Sequence, residues 1–114
     1  MPDCLFCRII AGEIPAAIVY QDEQLVAFKD ITPQAPTHIL IIPRRHIATL
    51  NELVPEDDGL VGEMTRRAAA IAKEMGLAER GYRVLFNCNA EAGQTVFHIH
   101  LHLVGGRRMN WPPG

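Results

Sequence analysis

The chain has 114 residues, of which 48% are hydrophobic and 21% charged, which suits one globular domain with a real core. A net charge of −2 gives no electrostatic reason to expect nucleic-acid or anionic-membrane partners, and no apolar run approaches the ~20 residues of a membrane span. Three cysteines, an odd number, argue against a disulfide framework, and Met1–Cys4 lacks the basic and apolar regions of a secretory signal, so the expected location is cytoplasmic.

Leu5, Phe6, Ile9 and Ile10 recur at helical spacing, so Leu5–Ala11 reads as a short helix with Gly12 near its C-cap. The Cys4-X-X-Cys7 pair at its start supplies half of a zinc site or two buried thiols. Glu13–Pro15 makes a turn, and Ile18–Tyr20 and Leu25–Asp30 read as strands joined by the hairpin turn Gln21–Glu23. Asp30 ends the second strand beside Phe28 and Ile31. There a carboxylate either caps the loop or accepts hydrogen bonds from a sugar diol, with the apolar pair beside a base. Ile31–Pro36 is a loop stiffened by Pro33 and Pro36. Thr37–Pro43 is nearly all apolar and predicts a central strand, with His38 at its start. Arg44 and Arg45 read as solvated and lead through His46 into a short helical turn, Ile47–Leu53.

Pro55–Asp58 is an acidic, proline-led helix start. Leu60, Val61, Met64, Ala68, Ile71, Ala72 and Met75 follow at helical spacings and Gly76 ends the run. This predicts one long amphipathic helix of roughly four to five turns, with Arg66, Arg67, Lys73 and Glu74 facing solvent. Tyr82–Asn87 reads as a fourth strand, and Cys88–Gly93 as the loop leading to Val96–Val104. In that stretch histidine alternates with Phe97, Ile99, Leu101 and Leu103, the period of a strand with one buried face. His98, His100 and His102 then share the other face at intervals of roughly 6.5–7 Å. Just before them, Gly93-Gln94-Thr95 has the make-up of an oxyanion or phosphate cradle. The tail, Gly105–Gly114, ends in the single tryptophan, Trp111, and two prolines. It is expected to pack on this protomer or on a second copy. Short strands, one hairpin and one long helix in this order predict an α+β domain with a mainly antiparallel sheet.

Three imidazoles in such an array suit two kinds of chemistry. A hydrolytic zinc wants donors ~2 Å from the metal, whereas three same-face positions spread over about 13 Å of strand suit two ligands better than three. No His-Glu-X-X-His partner motif is present. Nucleophilic catalysis needs no metal. A neutral imidazole attacks phosphorus, and its neighbours donate to the phosphoryl oxygens and the leaving group. That chemistry also gives Gln94 and Thr95 a reason to stand next door.

The run His98-Ile-His-Leu-His102-Leu-Val resembles the His-X-His-X-His-X-X signature of the histidine triad (HIT) superfamily. Phe28-Lys-Asp-Ile-Thr-Pro-Gln-Ala-Pro-Thr-His38, Gly93-Gln-Thr-Val-Phe-His98 and Trp111-Pro-Pro-Gly114 extend the resemblance over nearly the whole chain, to the histidine triad nucleotide-binding (Hint) branch in its bacterial form. The resemblance implies a purine nucleoside phosphoramidase. Such a hydrolase cleaves the P–N bond of adenosine or guanosine 5′-phosphoramidates, and acyl-adenylates, through a covalent nucleotidyl-histidine, and releases the nucleoside monophosphate.

By motif position, the resemblance implies His100 as the nucleophile, His98 and His102 as its support on the phosphate, and His38 behind them as a proton partner. Asn87, Gly93, Gln94 and Thr95 would hold the phosphate and leaving group. Asp30 would take the ribose hydroxyls, and Leu5, Phe6, Ile9, Phe28 and Ile31 would line the base pocket. It further implies a five-stranded sheet with one long and one or two short helices, residues 1–114 forming a single HIT domain. A homodimer would join two such sheets into ten strands, with the 105–114 tail at the interface and Trp111 reaching the partner's active site. The serine common before the triad is Thr95 here, and its added methyl is expected to alter leaving-group preference. Some bacterial relatives pair a Cys-X-X-Cys with two histidines, which implies a structural zinc on Cys4, Cys7, His46 and His98 and no cofactor for catalysis. Two alternatives stand beside this reading. One is a nucleotide-binding or scaffolding module whose triad only holds phosphate. The other is a dinucleoside polyphosphate hydrolase, which the Trp-Pro-Pro-Gly ending disfavours.

Overall fold

The computed structural model describes residues 3–114; Met1 and Pro2, part of the stretch read for a secretory signal, lie outside them. Strands β1 (Ile18–Gln21), β2 (Leu25–Lys29), β3 (Thr37–Pro43), β4 (Tyr82–Leu85) and β5 (Leu101–Gly105) form one antiparallel sheet in the order β1-β2-β3-β5-β4. Helices α1 (Leu5–Ile10) and α2 (Asp58–Glu74) pack on its two faces. The α+β architecture predicted from the strand and helix periods is the observed one.

The pleat sends alternate residues to opposite faces. Leu25, Ala27, Ile39, Ile41, Leu101 and Leu103 pack against Met64, Ala68, Ile71 and Ala72 of α2. Val26, Phe28, Leu40 and Ile42 point the other way and pack with Cys4, Phe6 and Ile9 around α1. β3 is therefore buried on both faces, which its unbroken apolar run requires. The same parity fixes the site. His38 alternates in phase with Leu40, and His102 is paired with Leu40 across the β3–β5 ladder, so both imidazoles belong to the α1 face.

Several local readings change. Arg45 is not simply solvated, because its guanidinium pairs with the buried carboxylate of Asp57. Asp57 also accepts from the Val54 N–H at 3.0 Å and so ties the turn that starts α2 to the end of β3. Arg44 donates to the Asp22 carbonyl at 2.7 Å and closes the β1–β2 hairpin. Arg67 lies over the Tyr20 ring at 3.8 Å, a cation–π contact rather than a free charge. Met75, placed in the apolar stripe, is 38% exposed.

The larger departure is in the histidine stretch. The strand predicted over Val96–Val104 begins only at Leu101. Pro43 has no N–H with which to extend the β3–β5 ladder, and its carbonyl is taken at 2.7 Å by the His98 imidazole. The Ile99 N–H turns instead to the Ile47 carbonyl, at 2.7 Å. With alternation broken, Phe97 stands 48% exposed where a continuous strand would bury it. The fourth strand is likewise short, ending at Leu85 rather than Asn87.

The tail leaves the sheet through Gly106, at φ 92, where a Cβ would meet the Pro36 Cβ at 2.9 Å. Arg107 donates to the Gln34 carbonyl at 2.9 Å and Arg83 to the Asn110 carbonyl at 3.0 Å, which pins the tail's course. Trp111 nevertheless remains 82% exposed, so it does not pack on its own protomer. Among the described residues no helix is long and apolar enough to cross a membrane.

Candidate functional site

On the α1 face a cavity of about 260 Å³ runs between α1 and the sheet. One end is apolar, built by Leu5, Phe6, Ile9, Phe28 and Ile31. Asp30 stands at its side, and His100, His102 and Thr95 close the other end. Phe6 meets Phe28 edge-on at 5.4 Å and His100 edge-on at 5.0 Å between ring centroids, so one aromatic side chain of α1 spans both regions. A wider groove, lined by Glu23, Arg44, Glu56 and Glu63 among others, has neither histidine nor cysteine in its wall.

The hydrogen-bond network assigns each tautomer at the polar end. The Gln34 N–H donates to His38 Nδ1 at 3.0 Å, so the His38 proton sits on Nε2. His38 Nε2 then donates to His102 Nδ1 at 2.9 Å, which leaves the His102 proton on Nε2. Among the described residues, His102 Nε2 is the buried side-chain polar atom that has no hydrogen-bond partner. His100 donates from Nδ1 to the His98 carbonyl at 2.8 Å, and its Nε2 carries the free lone pair. The His100 and His102 ring centroids lie 4.9 Å apart. A nucleophilic nitrogen and an unsatisfied N–H donor therefore sit side by side at the base of one pocket.

Burial lowers the proton affinity of all these rings. His38 and His100 are held below the ordinary histidine value by desolvation, with Asp30 opposing the shift. His102 falls furthest, to about 4, through desolvation and then the neighbouring His100 and His38. We expect NMR of the His102 ring to show a neutral imidazole across pH 5–8 and a midpoint near 4; a midpoint near 6.5 would contradict the assigned network. The sign of the linked stability follows. The unfolded chain, whose histidine titrates near 6.5, binds the extra proton first. The contribution of His102 is thus full above pH 6.5, declines as pH falls toward about 4, and is lost below it.

Asp30 accepts from the Thr32 N–H at 2.7 Å, and its other oxygen lies 3.5 Å from His38 Nε2. It therefore serves both its loop and the edge of the cavity. Other residues read as site members sit differently. Gln94 is buried, but its amide is spent on the fold. It donates to the Ala48 and Val96 carbonyls at 2.8 and 3.2 Å and accepts from the Asn89 N–H at 2.8 Å. Gly93, at φ 87, makes the turn that presents Thr95. Asn87 and Trp111 are not in the cavity wall of this protomer. Ile14, Pro15, Ala16 and Val96 also line the cavity and were not singled out from the sequence. They carry no functional group, and only the packing of α1 over the sheet brings them there.

His98 is fully buried and is not in the cavity wall; its link to the site is its backbone carbonyl, which accepts the His100 Nδ1–H. Its Nε2–H donates to Pro43, and Nδ1 points at the start of α1. There His98 Nδ1 lies 3.4 Å from Cys4 Sγ, 3.6 Å from Cys7 Sγ and 3.2 Å from His46 Nδ1, while Cys7 Sγ and His46 Nδ1 are 3.4 Å apart. All four donor atoms fall within 4.8 Å of one another. A tetrahedral zinc with ordinary Zn–S and Zn–N bonds spaces its donors at about 3.3 Å (N to N) and about 3.6 Å (S to N). The cluster fits that ion. The Pro43 carbonyl holds His98 in the tautomer a metal needs, as an outer-shell partner does. Burial and the adjacent Cys4 raise the Cys7 thiol, the cost that binding a cation would relieve.

The geometry finds close counterparts. The HIT domain matches residues 11–109. A purine nucleoside phosphoramidase of Escherichia coli K12 is 52% identical over 105 residues, covering 92% of this chain and 88% of that protein. The crystal structure of a HIT family hydrolase from Legionella pneumophila Philadelphia 1 is 55% identical, with a TM-score of 0.97 over 98% of this chain and 100% of that one. A HIT family hydrolase from Clostridium thermocellum is 45% identical at a TM-score of 0.93, covering 96% of each chain. With the domain matched over most of its length and half of its residues shared with these relatives, the chain belongs to the HIT family.

Proposed function

We propose that the chain is a purine nucleoside phosphoramidase that cleaves the P–N bond of a purine nucleoside 5′-phosphoramidate, or the mixed anhydride of an acyl-adenylate, by way of a nucleotidyl-His100. The observation that carries this reading is the paired polarity at the base of the cavity: a free lone pair on His100 Nε2 beside an unpartnered N–H on His102. The base lies between α1 and Phe28, and Asp30 accepts from the ribose hydroxyls. His100 Nε2 attacks the α-phosphorus while the His102 N–H donates to a phosphoryl oxygen. The P–N bond breaks, its electron pair leaves with the nitrogen, and that nitrogen takes a proton from a water molecule at the mouth, beside Thr95. Water then adds to phosphorus, the P–His100 bond breaks, and the monophosphate departs.

His38 acts through His102, holding its tautomer and sharing its proton. His98 positions the nucleophile by accepting the His100 Nδ1–H, and Gln94 and Gly93 shape the turn that carries Thr95. Cys4, Cys7, His46 and His98 hold a structural zinc, which supplies stability and leaves His100 free. The close E. coli relative, itself called a purine nucleoside phosphoramidase, supports the assignment. Two chains pair with their sheets joined, and the 105–114 tail crosses to the partner's site. The half-exposed Tyr82 and Val84 on edge strand β4 and the uncovered Trp111 support that assembly.

The test is chemical trapping. The protein is mixed with adenosine 5′-phosphoramidate, denatured in alkali, where a P–N adduct survives, and digested for mass spectrometry. We expect adenylate on the peptide containing His100 and AMP in solution. AMP without adduct would overturn the covalent route, and neither product would overturn the phosphoramidase reading.

A further inference from the structure

Cys4 and Cys7 are two thiols within one turn of chain, and such a pair has chemistry beyond holding an ion. The Cys7 N–H donates to Cys4 Sγ at 3.3 Å, and both sulfurs belong to a donor set whose members all fall within 4.8 Å. Both are within reach of a small molecule. Cys7 is half-buried, and Cys4 and His46 help to line a cavity of about 480 Å³ together with Asp3, Leu5 and Phe97. A sulfur that ligates zinc is deprotonated, and the thiolate is the form that peroxides oxidise. Cys88, the remaining cysteine, lies outside both the donor set and this cavity.

Two short routes join these thiols to the nucleophile. The first runs through His98, whose Nδ1 lies 3.4 Å from Cys4 Sγ and whose carbonyl accepts the His100 Nδ1–H at 2.8 Å. The second runs through Phe6, which stands between the two cysteines in sequence. Its ring meets His98 at 6.0 Å, His100 at 5.0 Å and Phe28 at 5.4 Å between centroids. Side chains three apart on a helical turn hold their Cβ atoms about 5–6 Å apart, whereas a disulfide needs about 3.5–4.5 Å. A bond between Cys4 and Cys7 therefore tightens the first turn of α1, the turn that carries Phe6. It also takes both sulfurs from His98, whose ring is left with the Pro43 carbonyl and His46.

We propose that Cys4 and Cys7 are a reversible oxidation site, closed to a disulfide by hydrogen peroxide, and that closure displaces Phe6 and His98 and so slows the reaction at His100. One thiolate sulfur attacks a peroxide oxygen, the O–O bond breaks, and the departing hydroxide takes a proton from solvent and leaves as water. The second thiolate attacks the sulfenic sulfur so formed. The S–S bond forms, the S–O bond breaks, and a second hydroxide is protonated to water. The two sulfurs together lose two electrons, and one peroxide is reduced to two waters. With only His46 and His98 left as donors, the site no longer retains an ion. The proposal rests on the zinc reading of this cluster and, for its effect on turnover, on the phosphoramidase reading.

The experiment treats the purified wild type and Cys88→Ser, which leaves one thiol pair, with hydrogen peroxide well below the melting transition. Metal release is followed with a chromogenic chelator and folding by far-UV circular dichroism. The thiol state is read from the mass of the tryptic peptide that ends at Arg8. Turnover of adenosine 5′-phosphoramidate and affinity for AMP are measured before and after. We expect about one zinc released per disulfide formed, an unchanged helical signal, and turnover lower by about ten- to a hundredfold, the scale of a displaced catalytic group. A thiol reductant with added zinc should restore it. Cys7→Ser should be slow from the outset and indifferent to peroxide; a further fall would place the oxidation elsewhere and overturn the proposal. Thiols that stay reduced, oxidation that a thiol cannot reverse, or unfolding in place of a folded, slow form would each overturn it too. So would zinc release that leaves turnover and AMP affinity unchanged. Wild type purified without metal would overturn the zinc reading, and the proposal with it. Wild type without turnover would overturn the phosphoramidase reading alone, and zinc release with AMP affinity would then decide the oxidation site.

Discussion

His100→Ala is expected to lower turnover of an adenosine 5′-phosphoramidate by at least about a thousandfold while nucleotide binding stays within a few-fold of wild type. The asymmetry comes from where the ring sits. In the proposed mechanism the nucleoside would be held mainly by the apolar end, Phe6, Ile9, Phe28 and Ile31, and by Asp30, cavity-lining residues that the substitution leaves in place. The proposed attack would need the lone pair on Nε2, which the His98 carbonyl secures by holding the proton on Nδ1. No neighbour replaces it, because His102 directs its lone pair at His38 and presents an N–H at the base of the pocket. His100→Asn guards against the void that alanine leaves beside Phe6. Turnover and calorimetric titration with AMP decide the matter. Turnover that survives would contradict His100 as the nucleophile, whereas a wild type without turnover whose AMP binding is only partly lost in the variant would favour the alternative module that only holds phosphate.

The second large effect concerns the cluster at the start of α1. Purified protein is expected to carry about one zinc per chain. Cys7→Ser should abolish the zinc and lower the melting temperature by about 15 °C, the result of losing roughly 4 kcal/mol of linkage from a tightly bound ion. Cys7 is the better choice because Cys4 Sγ also accepts the Cys7 N–H at 3.3 Å as the helix N-cap. The cluster joins α1, the end of β3 and the residues before β5, none of which are neighbours in sequence, so its loss should loosen all three. A strong chelator applied to the wild type should reproduce the shift. Metal-free wild type whose melting temperature ignores both chelator and Cys7→Ser would reduce the pair to buried thiols.

Much of this molecule is legible in one dimension. The bounds of β3, the β1–β2 hairpin and the course of α2 follow from apolar period and turn chemistry, because each of those elements is stabilised by a face its own sequence repeats. The Cys4-X-X-Cys7 pair and the alternating histidines are equally visible as residue types.

What the sequence did not decide is where alternation stops and which way each imidazole turns. Period-2 spacing placed His98, His100 and His102 on one face; in the fold only His100 and His102 line the cavity, while His98 serves Pro43 and the thiol cluster. The cause is non-local. A strand exists only while its partner can keep the ladder, and Pro43, distant in sequence, ends it one step beyond Leu101. The outward stand of Phe97 shares that origin, and the inward turn of Gln94 and the pairing of Arg45 with Asp57 likewise depend on partners distant in sequence. Residue chemistry and local period determined the kinds of groups and most of the elements. The tertiary structure alone decided which groups meet, because hydrogen-bond partners far apart in the chain compete for each side chain and the packed sheet settles the competition.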